Sequence, residues 1–349
     1  MTRVPKWVWA VVLWTGIVTV LHLSLNVDWE IVRNDSLPAA RKRLNVGYIP
    51  VTCHLACPVT DYIAKHSKSA AGLIPRLFQG FAEIKEALIA NRIQAGFLVA
   101  PMALALRSQG VPIRIVYLGH RYGSSVVVKK GGPVRTVADL AGRKVAIPNR
   151  FSDERLLLIR ALQQNRVDVA QVRMLEMNPP DVPGALATGA IDAFSMGEPF
   201  PSQAEIDGYG KILFQARDYW PDYVSCVLVV REDAIAANPA AVQTLVNGIA
   251  RSGLWLDEGA PHREYAADFV ARIYFHQRPR LLEWALTKPL DRVLYNPLAP
   301  LQRDFDLIQD LMIQSGVLDR RLEFRDYVDD RFAIQASAMT PWMFEPGQM

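Results

Sequence analysis

LNVGYIPVTCHLACPVTD, residues 44–61, decides how the rest of the chain is read. Its first half, residues 44–51, is a short apolar run interrupted by Gly47 and Pro50, with the size and composition of a buried strand. Thr52, Cys53, His54 and Cys57 follow at once, and Pro58 marks a helix start with Cys57 just ahead of it. A strand therefore hands its polar end to a helix N-terminus. In an open α/β sheet the crevice lies outside the carboxyl ends of the strands, where a helix N-terminus offers free N–H groups and a partial positive charge. Two of the three cysteines sit at such a junction.

Upstream, Arg3 and Lys6 precede WVWAVVLWTGIVTVLHLSL, residues 7–25, and Asp28 and Glu30 follow it. Nineteen residues without Asp, Glu, Lys or Arg are just long enough to span a bilayer core. The charge order puts residues 1–6 on the cytoplasmic side and exports the remainder. An uncleaved transmembrane anchor with a polar tether over residues 26–43 is expected. The competing reading is a cleaved signal peptide, but no A-x-A-like site occurs in residues 21–27. In both cases the remainder works at the periplasmic face of the cytoplasmic membrane, anchored or soluble, where thiols meet oxidants.

Downstream, short strands alternate with helices as far as residue 230: strands at 95–99, 113–118, 125–129, 144–147, 172–174, 190–196 and 224–230, with a second strand within 72–81. That alternation predicts a parallel or mixed sheet covered by helices. Gly131, Gly132 and Pro133 form a natural joint, and Ser152 is a plausible N-cap for a helix over residues 153–165. From Asp233 onward the pattern is helical, over residues 240–257, 264–275, 280–287 and 300–315. The tail, residues 338–349, carries no signal.

With 349 residues, half of them hydrophobic, the chain can build two ordinary domains. Its formal charge of +4 is spread over mixed signs, and no basic run suggests a nucleic-acid partner. No G-x-x-x-x-G-K-[ST] loop occurs, so any ATP hydrolysis belongs to another chain.

Four stretches in fixed order carry a resemblance: NRIQAGFLVAPMALALRSQGVPIRIVYLG (91–119), TVADLAGRKVAIPNRFSDERLLLIRAL (136–162), ALATGAIDAFSMGEPFPSQAEIDGYGKIL (185–213) and DYWPDYVSCVLVVREDAIAANPAAV (218–242). Together, over residues 44–317, they resemble the nitrate/bicarbonate/sulfonate/thiamine-precursor (NMT1/THI5-like) class of ABC-importer substrate-binding proteins. GAIDAFSMGEPF is the most telling block. The resemblance implies an α/β clamshell of the periplasmic-binding type II kind, with two lobes, a ligand cleft and hinge closure. Lobe 1 is then expected over residues 44–133 and 225–337, and lobe 2 over 134–224. It further implies a monomeric solute-binding component of an ABC importer, working with a permease and an ATPase, with no cofactor and no enzymatic activity. Its solute would be a small nitrate-, bicarbonate- or sulfonate-like anion or a small organic molecule. A sensor or a metal-handling protein built on the same clamshell is the alternative.

Carried over by the resemblance, the binding positions are Thr52, Cys53 and His54; Pro101 and Met102; His120, Tyr122, Ser124 and Ser125; Asn149, Ser152, Asp153 and Glu154; Met196 and Glu198; and Ser225 and Cys226. The chain offers Asp153 or Glu154 and Cys226 where nitrate binders have a His and a Lys, so a small oxyanion would lose its cationic partners. No metal is expected under the main reading. Under the alternative, Cys53, His54, Cys57, His120 and Cys226 would be ligands, since sulfur and imidazole suit soft and borderline ions. A Cys53–Cys57 disulfide, buried inert thiols, and a reactive Cys57 at a helix start stand beside it. Glu198 either bonds a ligand or holds its own turn.

Overall fold

The computed structural model describes residues 5–27, 29–38 and 41–347. Arg3 and Asp28, two of the charges used to orient the apolar segment, lie outside the described residues. The chain divides into two units, Met1–Arg43 and Leu44–Met349.

In the first unit, helix α1 (Lys6–Asn26) has a mean hydropathy of 1.9 over its most apolar window, and none of its residues is buried. At 1.5 Å per residue it is about 31 Å long, which matches a bilayer core. It is the one described helix long and apolar enough to cross a membrane. Helix α2 (Trp29–Asp35) follows, and Asn34 ties the tether back on itself through two hydrogen bonds with the Arg43 backbone.

The second unit opens with β1 (Leu44–Tyr48), α3 (Ala56–His66), β2 (Leu73–Leu77), α4 (Phe81–Ile89), β3 (Ala95–Val99), α5 (Ala100–Ser108) and β4 (Ile113–Leu118). Two-residue β5 (Arg121–Tyr122) leads into β6 (Ser124–Lys129), β7 (Lys144–Ile147), α6 (Asp153–Gln164), β8 (Arg173–Glu176), α7 (Val182–Thr188), β9 (Ala193–Gly197), α8 (Phe200–Ile206) and β10 (Gly210–Gln215). After α9 (Ala216–Tyr219) the chain returns through β11 (Cys226–Arg231) to a helical block that includes α10 (Glu232–Ala237), α11 (Pro239–Leu256), α12 (Ala260–Phe269) and α13 (Pro279–Thr287), β12 (Val293–Leu294) and α14 (Gln302–Gln314).

The strands form two five-stranded sheets, ordered β2-β1-β3-β11-β4 and β10-β6-β9-β7-β8. In each sheet one strand runs antiparallel to its two neighbours: β11 in the first, β6 in the second. Each of these strands enters directly from the other lobe. The two lobes thus share one plan, a parallel core with a returning strand inserted beside it. The core strands are apolar on both faces, as a sheet covered on both sides requires. Close helix packing on the first sheet needs the register pair Gly47 and Gly96: a Cβ at either would come within 3 Å of Ile93 or Ile84.

Membership of β6 in the second sheet corrects the expected lobe boundary. The first crossing falls at residues 119–123, before β6, rather than at Gly131–Pro133, because β6 pairs with β9 and β10. The return crossing leads from α9 to β11, and Arg121 bridges Val224, which sets the two crossings side by side. β12 pairs with β5, and Arg121 makes a buried ion pair with Asp304 at 2.7 Å, so the helical block grips the hinge. Strand β10 is absent from the sequence reading; it is an edge strand bent by a register shift at Ile212/Phe214.

Candidate functional site

The carboxyl ends of β1 and β3 face those of β7 and β9 across the two crossings. From the first lobe comes the single 3-10 turn Thr52–His54, entirely buried. From the second comes the N-terminus of α6, where the Ser152 hydroxyl accepts a hydrogen bond from the Arg155 N–H at 3.2 Å and caps the helix. Lobe contact is direct: the Thr52 N–H donates to the Glu198 carbonyl at 3.2 Å.

Between them lies a small chamber of about 20 Å³, room for little more than one water or ion. Of the expected binding residues, Thr52, Cys53, His120, Glu154, Met196, Glu198 and Ser225 line it. Among the described residues, no lysine or arginine does. Outside it lies a hollow of about 730 Å³, reached by Met102 and Asn149. Val51, Phe81, Pro148, Pro179 and Phe200 line both spaces and form an apolar ring between them. The sequence reading missed this ring; Phe200 closes the GEPF block that it did single out, but a lone aromatic in a loop reads equally as core.

The remaining expected residues sit elsewhere. Tyr122, Ser124 and Ser125 line a separate crevice with Gln215 and Arg217. Pro101 is buried in the first turn of α5 and lines neither space. Ser152 is occupied as a cap. Asp153 is buried behind the chamber and accepts a hydrogen bond from the Tyr223 hydroxyl. Glu198 lines the chamber, but its carboxylate is engaged: Arg292 Nη1 lies 2.7 Å from one oxygen and the Ser202 N–H donates to the other at 3.1 Å. Both carboxylate oxygens of Glu198 are thus engaged within the protein.

The sulfur opposite Cys53 belongs to Cys226, at 2.7 Å, and not to Cys57. All three cysteines are free and buried. This corrects the expected Cys53–Cys57 staple: Cys57 already lies inside α3, where it senses Asp61 and Tyr48, while Cys53 faces the start of β11. Donor atoms of Cys53, His54 and Cys226 lie within 4.8 Å of one another, and Cys57 does not join them.

Two buried, neutral imidazoles belong to this region, and His54 is the one within reach of the sulfurs. His54 packs against Phe81 and Phe97, and its Nδ1 accepts the Ile49 N–H at 2.8 Å. Its proton therefore sits on Nε2, and that atom has no lone pair for an ion. For His120, Nε2 lies 3.2 Å from Thr52 Oγ1, which also lies 3.4 Å from the Glu198 carbonyl, and Nδ1 has no partner. Burial holds His54 well below the usual range and lowers His120 to about 3.

The acidic groups shift the other way. Burial pushes the Cys53 and Cys226 thiols up, and the nearby Asp153 and Glu154 add to it. Burial raises Glu154 to about 7, and burial with the Glu154 charge raises Asp153. Asp153 Oδ1, Glu154 Oε2, His120 Nδ1 and Ser124 Oγ are all buried without a hydrogen-bond partner. Of these, Glu154 and His120 line the chamber, and unpaired buried polar atoms there mark a place where a bound group can find partners.

Comparison with known proteins agrees with this architecture. The taurine-binding periplasmic protein of Escherichia coli is 27% identical over 289 residues, 76% of this chain and 85% of that protein. The nitrate import ATP-binding protein NrtC of Synechocystis is 25% identical over 249 residues, 65% of this chain, and the chain spans only 37% of that relative's length. A solved ligand-binding component of an ABC-type import system from Staphylococcus aureus, with zinc bound, superimposes with a TM-score of 0.76 at 23% identity, covering 85% of this chain and 99% of that one. The model of the NMT1-like family matches residues 38–271, about two thirds of the sequence, and the chain belongs to that family.

Proposed function

We propose that the chain is the solute-binding component of an ABC importer, closing two lobes on one small ligand, and that it makes no covalent change to that ligand. The observation that carries this reading is the small chamber at the facing strand ends of two lobes linked by paired crossings. Solute would pass from the outer hollow through the ring around Phe81 and Phe200 and be sealed off on closure. Catalysis by a thiolate has little support here: Cys53 is neutral, no cation activates it, and both imidazoles lack a base-like partner arrangement. With acceptors lining the chamber, a solute that donates hydrogen bonds or carries positive charge is favoured over a bare oxyanion.

In this reading α1 tethers the binding unit to the outer face of the cytoplasmic membrane, the unit works as a monomer, and a permease and an ATPase on other chains complete the importer. The test is thermal melting of the full chain in detergent against nitrate, bicarbonate, taurine, longer sulfonates, amines and aminopyrimidines. A ligand at a hundredfold excess over its Kd adds about 2.7 kcal/mol of stability. One class should raise Tm in a saturable way. No shift with any small solute would remove support for the importer reading. An extracytoplasmic metal-handling role on the same clamshell is the second reading, favoured by the paired sulfurs of Cys53 and Cys226.

A further inference from the structure

We propose that Cys53 and Cys226 are a disulfide-forming pair: exchange with a disulfide oxidant joins their sulfurs and pins the chamber-lining turn Thr52–His54 to the start of β11. The inference goes beyond the importer reading. It assigns a covalent site within the first lobe and leaves Cys57 as the remaining thiol of the three.

Three observations converge on it. First, the two sulfurs stand 2.7 Å apart. That is inside the about 3.5–4.0 Å at which even non-bonded carbon atoms rest, and about 0.7 Å beyond a disulfide bond of about 2.05 Å. Second, the backbone on both sides of the pair is held in place. The Tyr295 hydroxyl donates to the Thr52 carbonyl at 2.8 Å, and the Thr52 N–H donates to the Glu198 carbonyl at 3.2 Å. Cys226 pairs with Val99 in the sheet, and its carbonyl accepts the Gly119 N–H at 2.7 Å. Gly119 touches both cysteines: a Cβ there would come within 2.6 Å of the Cys53 carbonyl oxygen and 3.1 Å of Cys226 Cβ, so the missing side chain is what lets them meet. Third, Cys57 does not compete, since it is buried inside α3 with Asp61 and Tyr48 for neighbours.

Cys53 lines the chamber and Cys226 does not, so a small disulfide R–S–S–R reaches Cys53 first, when the lobes part. The Cys53 thiolate attacks one sulfur of the reagent, giving a mixed disulfide and releasing one R–SH; the Cys226 thiolate then attacks the Cys53 sulfur and expels the second R–SH. The two thiols lose two protons and two electrons, and the reagent takes up both. Burial, above all, pushes both thiols up, so each is a poor leaving group and the bridge opens slowly once made. It joins residues 173 positions apart, which constrains the unfolded chain, and it fixes one wall of the chamber before the lobes close. A bridged pair offers no thiolate to an ion, so the bridge also counts against a metal-handling role for these sulfurs.

The experiment takes the full chain in detergent as two samples, one isolated without reductant from an oxidising compartment, the other reduced and then incubated with oxidised glutathione. Free thiols are alkylated in denaturant and the peptides mapped by mass spectrometry. The expected result, in either sample, is a Cys53–Cys226 cross-linked peptide, an alkylated Cys57 and an intact mass lower by two hydrogens. Reductant should lower the Tm of the bridged chain by about 4–20 °C and speed amide exchange over residues 51–55 about tenfold. Cys226→Ser should show the lower Tm from the start, unmoved by reductant, while Cys57→Ala keeps the cross-link and the full response. Three alkylated thiols in both samples, a Cys53–Cys57 cross-link, or an equal response to reductant in Cys226→Ser would overturn the proposal. Because the second sample is given its oxidant, the result does not depend on where α1 places the chain. If the bridge fails while a solute still raises Tm, the importer reading stands and only the disulfide falls.

Discussion

Arg292→Ala tests whether Glu198 is a structural group or a solute ligand. The side chains of Arg292 and Glu198 are 6% and 0% exposed, and the guanidinium also reaches Ser202 Oγ at 3.2 Å, Glu205 at 3.1 Å and the Lys288 carbonyl at 2.6 Å. It joins the helical block to the turn after β9. Burial alone pushes Glu198 up, and Arg292 pulls it back. Truncating Arg292 leaves a buried carboxylate with only the Ser202 N–H, and breaking a buried pair in this way costs about 3–5 kcal/mol. At about 2–4 °C per kcal/mol, Tm should fall by about 6–20 °C. Urea unfolding followed by circular dichroism measures the same quantity. Adding Glu198→Gln removes the orphaned charge, so the Arg292→Ala, Glu198→Gln pair should recover at least half of the loss. A loss below about 1 kcal/mol for Arg292→Ala, or a pair whose costs simply add, would refute the idea that these groups are coupled.

Three further outcomes follow from individual contacts. Gly119→Ala would place a Cβ 2.6 Å from the Cys53 carbonyl oxygen and 3.1 Å from Cys226 Cβ, so the floor beneath the sulfur pair must shift; a cost of about 1–3 kcal/mol in urea unfolding is expected. Ser152→Ala removes the cap of α6 and should cost about 1 kcal/mol with little change in m-value. His120 is held neutral in the folded chain, near 3 against an ordinary 6.5, so its contribution is complete above pH 6.5 and is lost as pH falls toward 3. Relative to wild type, His120→Asn should therefore gain about 2 kcal/mol between pH 7.5 and pH 5, whereas Glu154, raised to about 7, acts in the opposite sense, its contribution being lost as pH rises through 7; unchanged spacing of the two His120 curves with pH would contradict this.

Most of the scaffold was legible because its signals are local. The apolar run of β1 ending in Thr52–His54, the Ser152 cap and the strand at 95–99 follow from composition and spacing alone. The lobe boundary was not, because Gly131–Pro133 looks like a joint in sequence while β6 is claimed by strands far along the chain. The same limit governs the cysteines. Proximity in sequence favoured Cys53 with Cys57, but a turn entering a helix separates them and a strand 173 positions away supplies the partner. Glu198 could be placed in the cleft by its motif, yet its partner Arg292 lies in a block that carries no motif. Which ring nitrogens of His54 and His120 are engaged depends on hydrogen bonds that no spacing encodes.

A crystal structure of the chain with the solute or ion that raises its Tm tests the cleft most directly. Bound density in the chamber between Cys53, His120 and Glu154, with the lobes closed over it, is the predicted result. Density confined to the outer hollow beside Lys85 and Arg150, with the chamber unchanged, would contradict it.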